Sequence, residues 1–191
     1  MILIAVPTFE HVQNKVFEAI WCAAAGRDAD FACVSGYDCA RARNAIAHMA
    51  LDGGYSHVLM VDSDTVIPPD ALDSLTDPPA EIVLGFYRRK DGSQDCFEMF
   101  KDEPGWKMFS RADISEAPDR IAVKGGGFGC ALVDSEVFKR LRFPWFKFEQ
   151  YDDGSILSED LYFSRIALNA GIKTYADTRV LCGHVGTRTW E

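Results

Sequence analysis

A chain of 191 residues, 48% hydrophobic and 12% aromatic, is long enough for one domain with a sizeable core and short for two. Its 20 Lys and Arg against 29 Asp and Glu leave a net charge of 20 − 29 = −9, which argues against nucleic acid and anionic membranes as partners. No apolar run approaches the ~20 residues of a membrane span, and the opening "MILIAVPTFE" lacks the basic leader of a signal peptide.

"ILIAVP" (Ile2 to Pro7) is a short continuous apolar run, as expected of a strand covered on both faces. A helix is predicted from about Val12 to Ala25, with Gly26 as its stop, and "ADFACVSG" gives a second strand. In "ARARNAIAHMALDGG" the residues Ala42, Ala45, Ile46, Met49 and Ala50 fall on one helical face, and Gly53 and Gly54 end the helix. "HVLMV" follows as a third strand. Strand, helix, strand, helix, strand is the pattern of βαβ units on a parallel sheet, whose ligands bind beyond the carboxyl ends of the strands. "PTFE", "SGYD" and the pair Asp62 and Asp64 all stand at that edge.

Beyond "PPDALDSL", read as a short helix opening at Pro68 or Pro69, the character changes. "EIVLGFYRRK", "DCFEMFK", "WKMFSR" and "DRIAVKGGGFGCALVD" read as shorter, partly antiparallel strands, "SEVFKRL" as a brief helix and "FPWFKFEQYDDG" as an aromatic loop. "SEDLYFSRIALNAG" is a helix capped by Ser158 and ended by Gly171, and two strands, "IKTYA" and "RVLCGH", complete the pattern. One α/β domain over residues 1–191 is expected, with 1–75 as a nucleotide-binding half and 80–191 as the half that completes the site. Six scattered cysteines without a CxxC pair fit the reduced thiols of a cytoplasmic protein, and fit neither a zinc ribbon nor a disulfide scaffold.

The chemistry concentrates in "VLMVDSDT". Two carboxylates, Asp62 and Asp64, end an apolar strand, where they repel each other unless a cation or a hydrogen-bond network is present. Such a pair at a ligand-binding edge suits a hard divalent ion. A single aspartate there would read simply as a turn cap. Glu159 and Asp160 fit a first helical turn on dipole grounds alone, and His184 on its own reads as a core histidine. Gly125 to Gly129 ("GGGFG") reads equally as a loose turn and as backbone that a sugar can approach.

Two enzyme classes write DxD after a strand. "VLMVDSDTV" fits the haloacid-dehalogenase-like phosphatases, with Asp62 as nucleophile. Two strand-helix units precede it, however, Thr65 replaces the usual glycine, and Asp152 and Asp153 find no partner lysine. "ARARNAIAHMALDGGYSHVLMVDSDTVIPPDAL" and "SEDLYFSRIALNAGIKTYADTRVLCGHVG", in that order, resemble the family 2-like nucleotide-sugar glycosyltransferases of the GT-A fold. The resemblance implies a mixed sheet flanked by helices, with Asp64 and His184 as metal ligands. It implies Asp160 as the base and Glu159 as its positioning neighbour. Pro7, Thr8, Glu10, Arg43, Asn44, Asp62 and Ser63 are then the donor contacts, Arg41 being the alternative to Arg43. An imidazole ligand favours Mn²⁺ over Mg²⁺. Arg88, Arg89, Trp106, Trp145 and Phe146 are candidates for phosphate or acceptor contacts, the aromatics equally for the core. The implied reaction transfers a sugar, with inversion, from a nucleotide diphosphate donor to a hydroxyl of a glycan, lipid or protein. Two alternatives remain: the haloacid-dehalogenase-like phosphatase using Asp62 and Asp64, and a nucleotide-sugar-binding relic without turnover.

Overall fold

The computed structural model describes residues 1–88, 96–103 and 107–186. Its elements in chain order are β1 (Ile2–Pro7), α1 (Asn14–Ala24), β2 (Ala29–Val34), α2 (Cys39–Asp52), β3 (His57–Val61), β4 (Thr65–Val66), α3 (Ala71–Thr76), β5 (Ile82–Tyr87) and β6 (Cys96–Lys101). β7 (Met108–Ser110), α4 (Arg111–Ser115), β8 (Arg120–Gly126), β9 (Cys130–Asp134), α5 (Ser135–Arg140), β10 (Glu149–Gln150), β11 (Ile156–Leu157), α6 (Glu159–Asn169) and β12 (Thr174–His184) follow.

One continuous sheet runs in the order β2-β1-β3-β9-β5-β12-β8-β6-β7, with β4 added to the end of β12. β1 pairs parallel with both β2 and β3, and β5 pairs parallel with β12. β9, from the later part of the chain, lies antiparallel between β3 and β5. The apolar runs have a direct cause: both faces of the central strands are covered. On one face Ile4, Val6, Leu59 and Leu132 pack with Val16 and Ile20 of α1 and Leu72 and Leu75 of α3. On the other, Leu3, Ala5, Met60 and Leu84 meet Ile46 and Ala47 of α2, Phe138 of α5 and Phe163 of α6.

Several expectations change. The two final strands are one, β12, with an irregularity between Asp177 and Leu181. Its polar Asp177-Thr178-Arg179 stretch imitates a turn, yet Asp177 is fully buried in ion pairs with Arg120 and Arg179. The short third helix opens at Ala71, because Pro68 to Asp70 form the turn that precedes it, with Ala71 N donating to Pro68 O. The aromatic loop contains β10, which pairs with β11 as a two-residue hairpin. α4 was missed; its capping box, Ser110 with Asp113, is the local signal for it. The buried face of α2 is turned towards Arg43 and Ala47, leaving Met49 exposed. Among the described residues no helix is long and apolar enough to cross a membrane.

Candidate functional site

β1, β3 and β12 deliver their carboxyl ends to one edge of the sheet. After β1, Pro7 and Thr8 are buried; Thr8 N donates to Val34 O and its hydroxyl donates to His11 O, which sets the turn that carries exposed Glu10. After β3, Asp62 to Thr65 form a tight turn, closed by Thr65 N donating to Asp62 O at 2.9 Å. Three other segments hold this turn. Asp62 N donates to Gly129 O, Gln13 N to Ser63 O, and Val185 N to Asp64 O. Gly129 is needed there because an added Cβ would fall 2.7 Å from the Tyr87 ring and 3.0 Å from the Thr65 hydroxyl.

Pairing of β4 with β12 sets His184 beside Thr65 and brings its ring to Asp64. His184 Nε2 lies 3.4 Å from Asp64 Oδ1, and Nδ1 lies 2.8 Å from the Arg88 carbonyl oxygen. A carbonyl only accepts, so Nδ1 carries a proton. Nε2 and the Asp64 carboxylate converge at one point, and both are atom types that ligate divalent cations. The carbonyl behind the imidazole supplies the usual outer support of a metal-binding histidine.

The second group of charges centres on Arg43, only 2% exposed. Its Nη2 donates to Asp62 Oδ1 at 2.9 Å, Nε to Glu159 Oε1 at 3.2 Å and Nη1 to Phe128 O at 3.1 Å. Burial works against its charge, but the carboxylates of Asp62, Glu159 and Asp160 outweigh it and hold the guanidinium pKa well above the ordinary value. Asp160, next to Glu159 at the start of α6, accepts from Leu161 N at 2.7 Å and from the Ser158 hydroxyl. Ser158 therefore occupies the cap position while its hydroxyl serves Asp160. Burial first, and the Glu159 charge second, raise the Asp160 carboxyl above the ordinary carboxylate range.

Asn44 is not turned towards a ligand. Its amide donates to Ala40 O and Phe146 O, and its oxygen accepts from Trp145 N and Phe146 N. It staples the aromatic loop to α2. Trp145 and Phe146 are core residues, 5% and 1% exposed; Phe146 stacks on Phe163 at 4.7 Å, and the Trp145 indole donates to Phe138 O. Of the two arginines considered, Arg41 is the exposed one, lying over the Tyr37 ring at 4.9 Å. Arg88 contributes the carbonyl that holds His184; Arg89 and Trp106 lie outside the described residues. Asp152 and Asp153 sit on the exposed β10–β11 turn, where Asp153 accepts from Ser155.

Two residues escaped the sequence reading. Tyr87, buried and edge-on to His184 with ring centroids 5.5 Å apart, has its phenol pushed far up by burial first and then by Asp62 and Asp160. Its place as the last residue of β5, at the same edge as the aspartates, was the available signal. The Cys39 thiol is pushed up to about 12, chiefly by burial, and is therefore no thiolate nucleophile. Among the described residues no three His, Cys, Asp or Glu side chains cluster as a complete metal cage. Two surface clefts, of about 330 Å³ by Met1, Asp28 and His57 and about 570 Å³ by Arg142, Phe143 and Tyr162, lie away from Asp62, Asp64, Asp160 and His184.

No protein-family model and no curated protein matches this chain. Solved structures do. A197 from STIV superposes with a TM-score of 0.67 at 18% identity, over 97% of this chain and 85% of that one. GalNAc-T7, solved with UDP, GalNAc and Mn²⁺, superposes with a TM-score of 0.66 at 9% identity, over 97% of this chain. The chain spans only 44% of that protein. At these identities the likeness is one of fold: a mixed sheet flanked by helices, of the GT-A type.

Proposed function

We propose that this chain is a metal-dependent glycosyltransferase that moves a sugar from a nucleotide diphosphate donor to an acceptor hydroxyl. The observation that carries it is the meeting of His184 Nε2 and Asp64 Oδ1, 3.4 Å apart, at the sheet edge that also holds Asp62 and the α6 start. The GT-A-type fold and the Mn²⁺ and UDP of GalNAc-T7 support the same reading.

Asp64 and His184 would hold Mn²⁺, or less readily Mg²⁺; both ions fill their remaining positions with phosphate oxygens and water. When bound, the ion supplies electrostatic relief for charge developing on the leaving diphosphate. Pro7, Thr8 and Glu10 would border the nucleoside base, and Ser63 and Asp62 the ribose or sugar hydroxyls. Asp62 keeps one oxygen on Arg43 and has the other to offer. Asp160 removes the acceptor proton as the acceptor oxygen attacks the anomeric carbon and the bond to the diphosphate breaks. An attack from the face opposite the leaving group inverts the centre. A carboxyl raised by burial is a stronger base than a solvated one, which suits that role. Glu159, bound to Arg43, positions Asp160 and takes no proton.

The test is calorimetric titration of nucleoside diphosphates with Mn²⁺ and with EDTA, in the parent, Asp64→Ala and His184→Ala. Binding that needs Mn²⁺ and both residues is expected; equal affinity under all conditions would sink the metal assignment. Donor binding without turnover of any nucleotide sugar would identify a binding relic instead. A thermal-shift screen narrows the donor first, since a ligand at a hundred times its dissociation constant adds ~2.7 kcal/mol of stability.

A further inference from the structure

The serine that opens α6 is turned the wrong way for a cap. A cap serine ordinarily accepts from a backbone N–H in the first turn of its helix. Here the Leu161 N–H, which a cap hydroxyl would take, donates at 2.7 Å to the Asp160 carboxylate, and Ser158 makes no capping hydrogen bond. The Ser158 hydroxyl donates to Asp160 instead. The serine serves the carboxylate, and the carboxylate serves the helix.

Both donors end on the same oxygen. Leu161 N and Ser158 Oγ each meet Asp160 Oδ1, and among the described residues no donor reaches Oδ2. Arg43 does not fill the gap, because its donors go to Asp62, Glu159 and Phe128 O. Asp160 is covered over most of its surface without being sealed. One oxygen is thus fixed by the protein, and the other keeps its lone pairs. An ionised carboxylate only accepts, so the unbonded oxygen is the one placed to take a proton.

The surroundings make these donors matter. Asp160 faces the Glu159 charge on its own helix, the Arg43 guanidinium on α2 and the Tyr87 phenol on β5. Burial and Glu159 push its carboxyl up, while Arg43, Ser158 and the Leu161 amide pull it down. Hydrogen bonds to the ionised form favour that form.

We infer that Ser158 is a positioning residue for the base: its hydroxyl holds Asp160 Oδ1, so that Oδ2 takes the acceptor proton. The inference rests on Asp160 being the base of the proposed transfer.

Carboxyl carbon NMR of aspartate-labelled protein tests it without a substrate, the Asp160 resonance being identified by its loss in Asp160→Asn. Ser158→Ala removes the hydroxyl, Ser158→Gly removes it at a cap position that tolerates glycine, and Ser158→Thr keeps it. In the first two the Asp160 midpoint is expected to move to higher pH, and in Ser158→Thr to stay with the parent. The acid limb of the turnover or donor-hydrolysis profile should move with it, at unchanged donor KM. The loss on that limb is roughly tenfold, the worth of one hydrogen bond to a charged group. A hydroxyl that only stabilised the helix would change thermal melting and leave the midpoint in place. An unmoved midpoint in both Ser158→Ala and Ser158→Gly overturns the inference, as does a Ser158→Thr that behaves like them. Failure of the function is read separately: Asp160→Asn turning over donor at the parent rate removes the base, whatever the serine variants do.

Discussion

Two clusters of charge, each centred on one buried group, stand on this scaffold, and they are built in opposite ways. Around Asp177, one fully buried carboxylate faces two guanidinium groups, Arg120 and Arg179. The spare donors of those arginines end on carbonyls of Ser74, Asp77 and Pro78 at the end of α3, where cations favour the helix dipole. Around Arg43 the ratio is reversed: one guanidinium pairs with Asp62 and Glu159 and feels Asp160 as well. Asp64 and His184 lie just beyond, on the same turn and its neighbouring strand. The first cluster is complete within the chain. Among the described residues the second sets more carboxylates than guanidinium groups at a sheet edge, the feature that the proposed metal site would use.

The sharpest way to break this contrast is to delete the central group of each. Asp177→Ala leaves half-buried Arg120 and the more exposed Arg179 without their carboxylate. Arg43→Met leaves buried Glu159 and half-buried Asp62 without their cation. Each is expected to cost roughly 3 kcal/mol in urea unfolding, the lower end for a broken buried pair. Only Arg43→Met should also disturb nucleoside-diphosphate binding, because Asp62 then loses its anchor. Equal effects on binding would erase the distinction between the clusters.

Next in size is Asp160→Asn, which keeps the shape but removes the base. Turnover, or slow hydrolysis of the donor, should fall by ~10²–10⁴ while donor affinity with Mn²⁺ persists. In the parent, turnover should decline as pH falls through a value above the ordinary carboxylate range, because Asp160 protonates early. The two clusters should also respond to acid with opposite sign. Asp177 is held low: although burial opposes its charge, the hydrogen bonds from Arg179 and Arg120 prevail. Its contribution is therefore present above its unfolded pKa and lost as pH falls through the folded one. Asp160 is raised, so its contribution is present below its unfolded pKa and lost as pH rises through the folded one. Acid titrations of Asp177→Asn and Asp160→Asn against the parent check this, and shifts of the same sign would refute it.

Much of the frame was legible because local pattern and burial agree. "ILIAVP" and "HVLMV" read as doubly covered strands, and DxD was placed at the correct edge by strand order alone. Asp177 was not legible, since three polar residues inside a strand imitate a turn until their partners, some sixty residues upstream in the case of Arg120, are known. Nor was the role of Arg43. It shares a helical face with Ala47 and Ala50, small residues that leave room for a buried guanidinium, but an arginine opening a helix invites a surface reading. Asn44 misled for the same reason, its partners being backbone atoms of a loop a hundred positions away.

The smallest expected effect concerns neither cluster and calibrates both. Asp113, held down to about 2 by the Lys101 ammonium and the Ser110 hydroxyl and amide, is largely solvated. Asp113→Ala should cost about 1 kcal/mol or less at neutral pH, mostly through the lost cap of α4, and leave Mn²⁺ binding untouched. A larger loss in thermal melting would mean that solvated pairs matter more in this chain than the contrast assumes.

The position of β9 has a consequence for how the chain reaches this state. β3 emerges from synthesis with β1 ready on one side, but its other neighbour is encoded about seventy residues later, and β5 also waits for it. Until residues 130–134 arrive, the strand that carries Asp62 is an apolar edge with an unfilled ladder. The chain therefore has a long nascent interval in which a strand destined for the core is an open, adhesive edge, and refolding must close a distant loop before the sheet locks. A fragment ending near residue 75 is expected to aggregate rather than fold, so the first three strands with their helices do not stand alone.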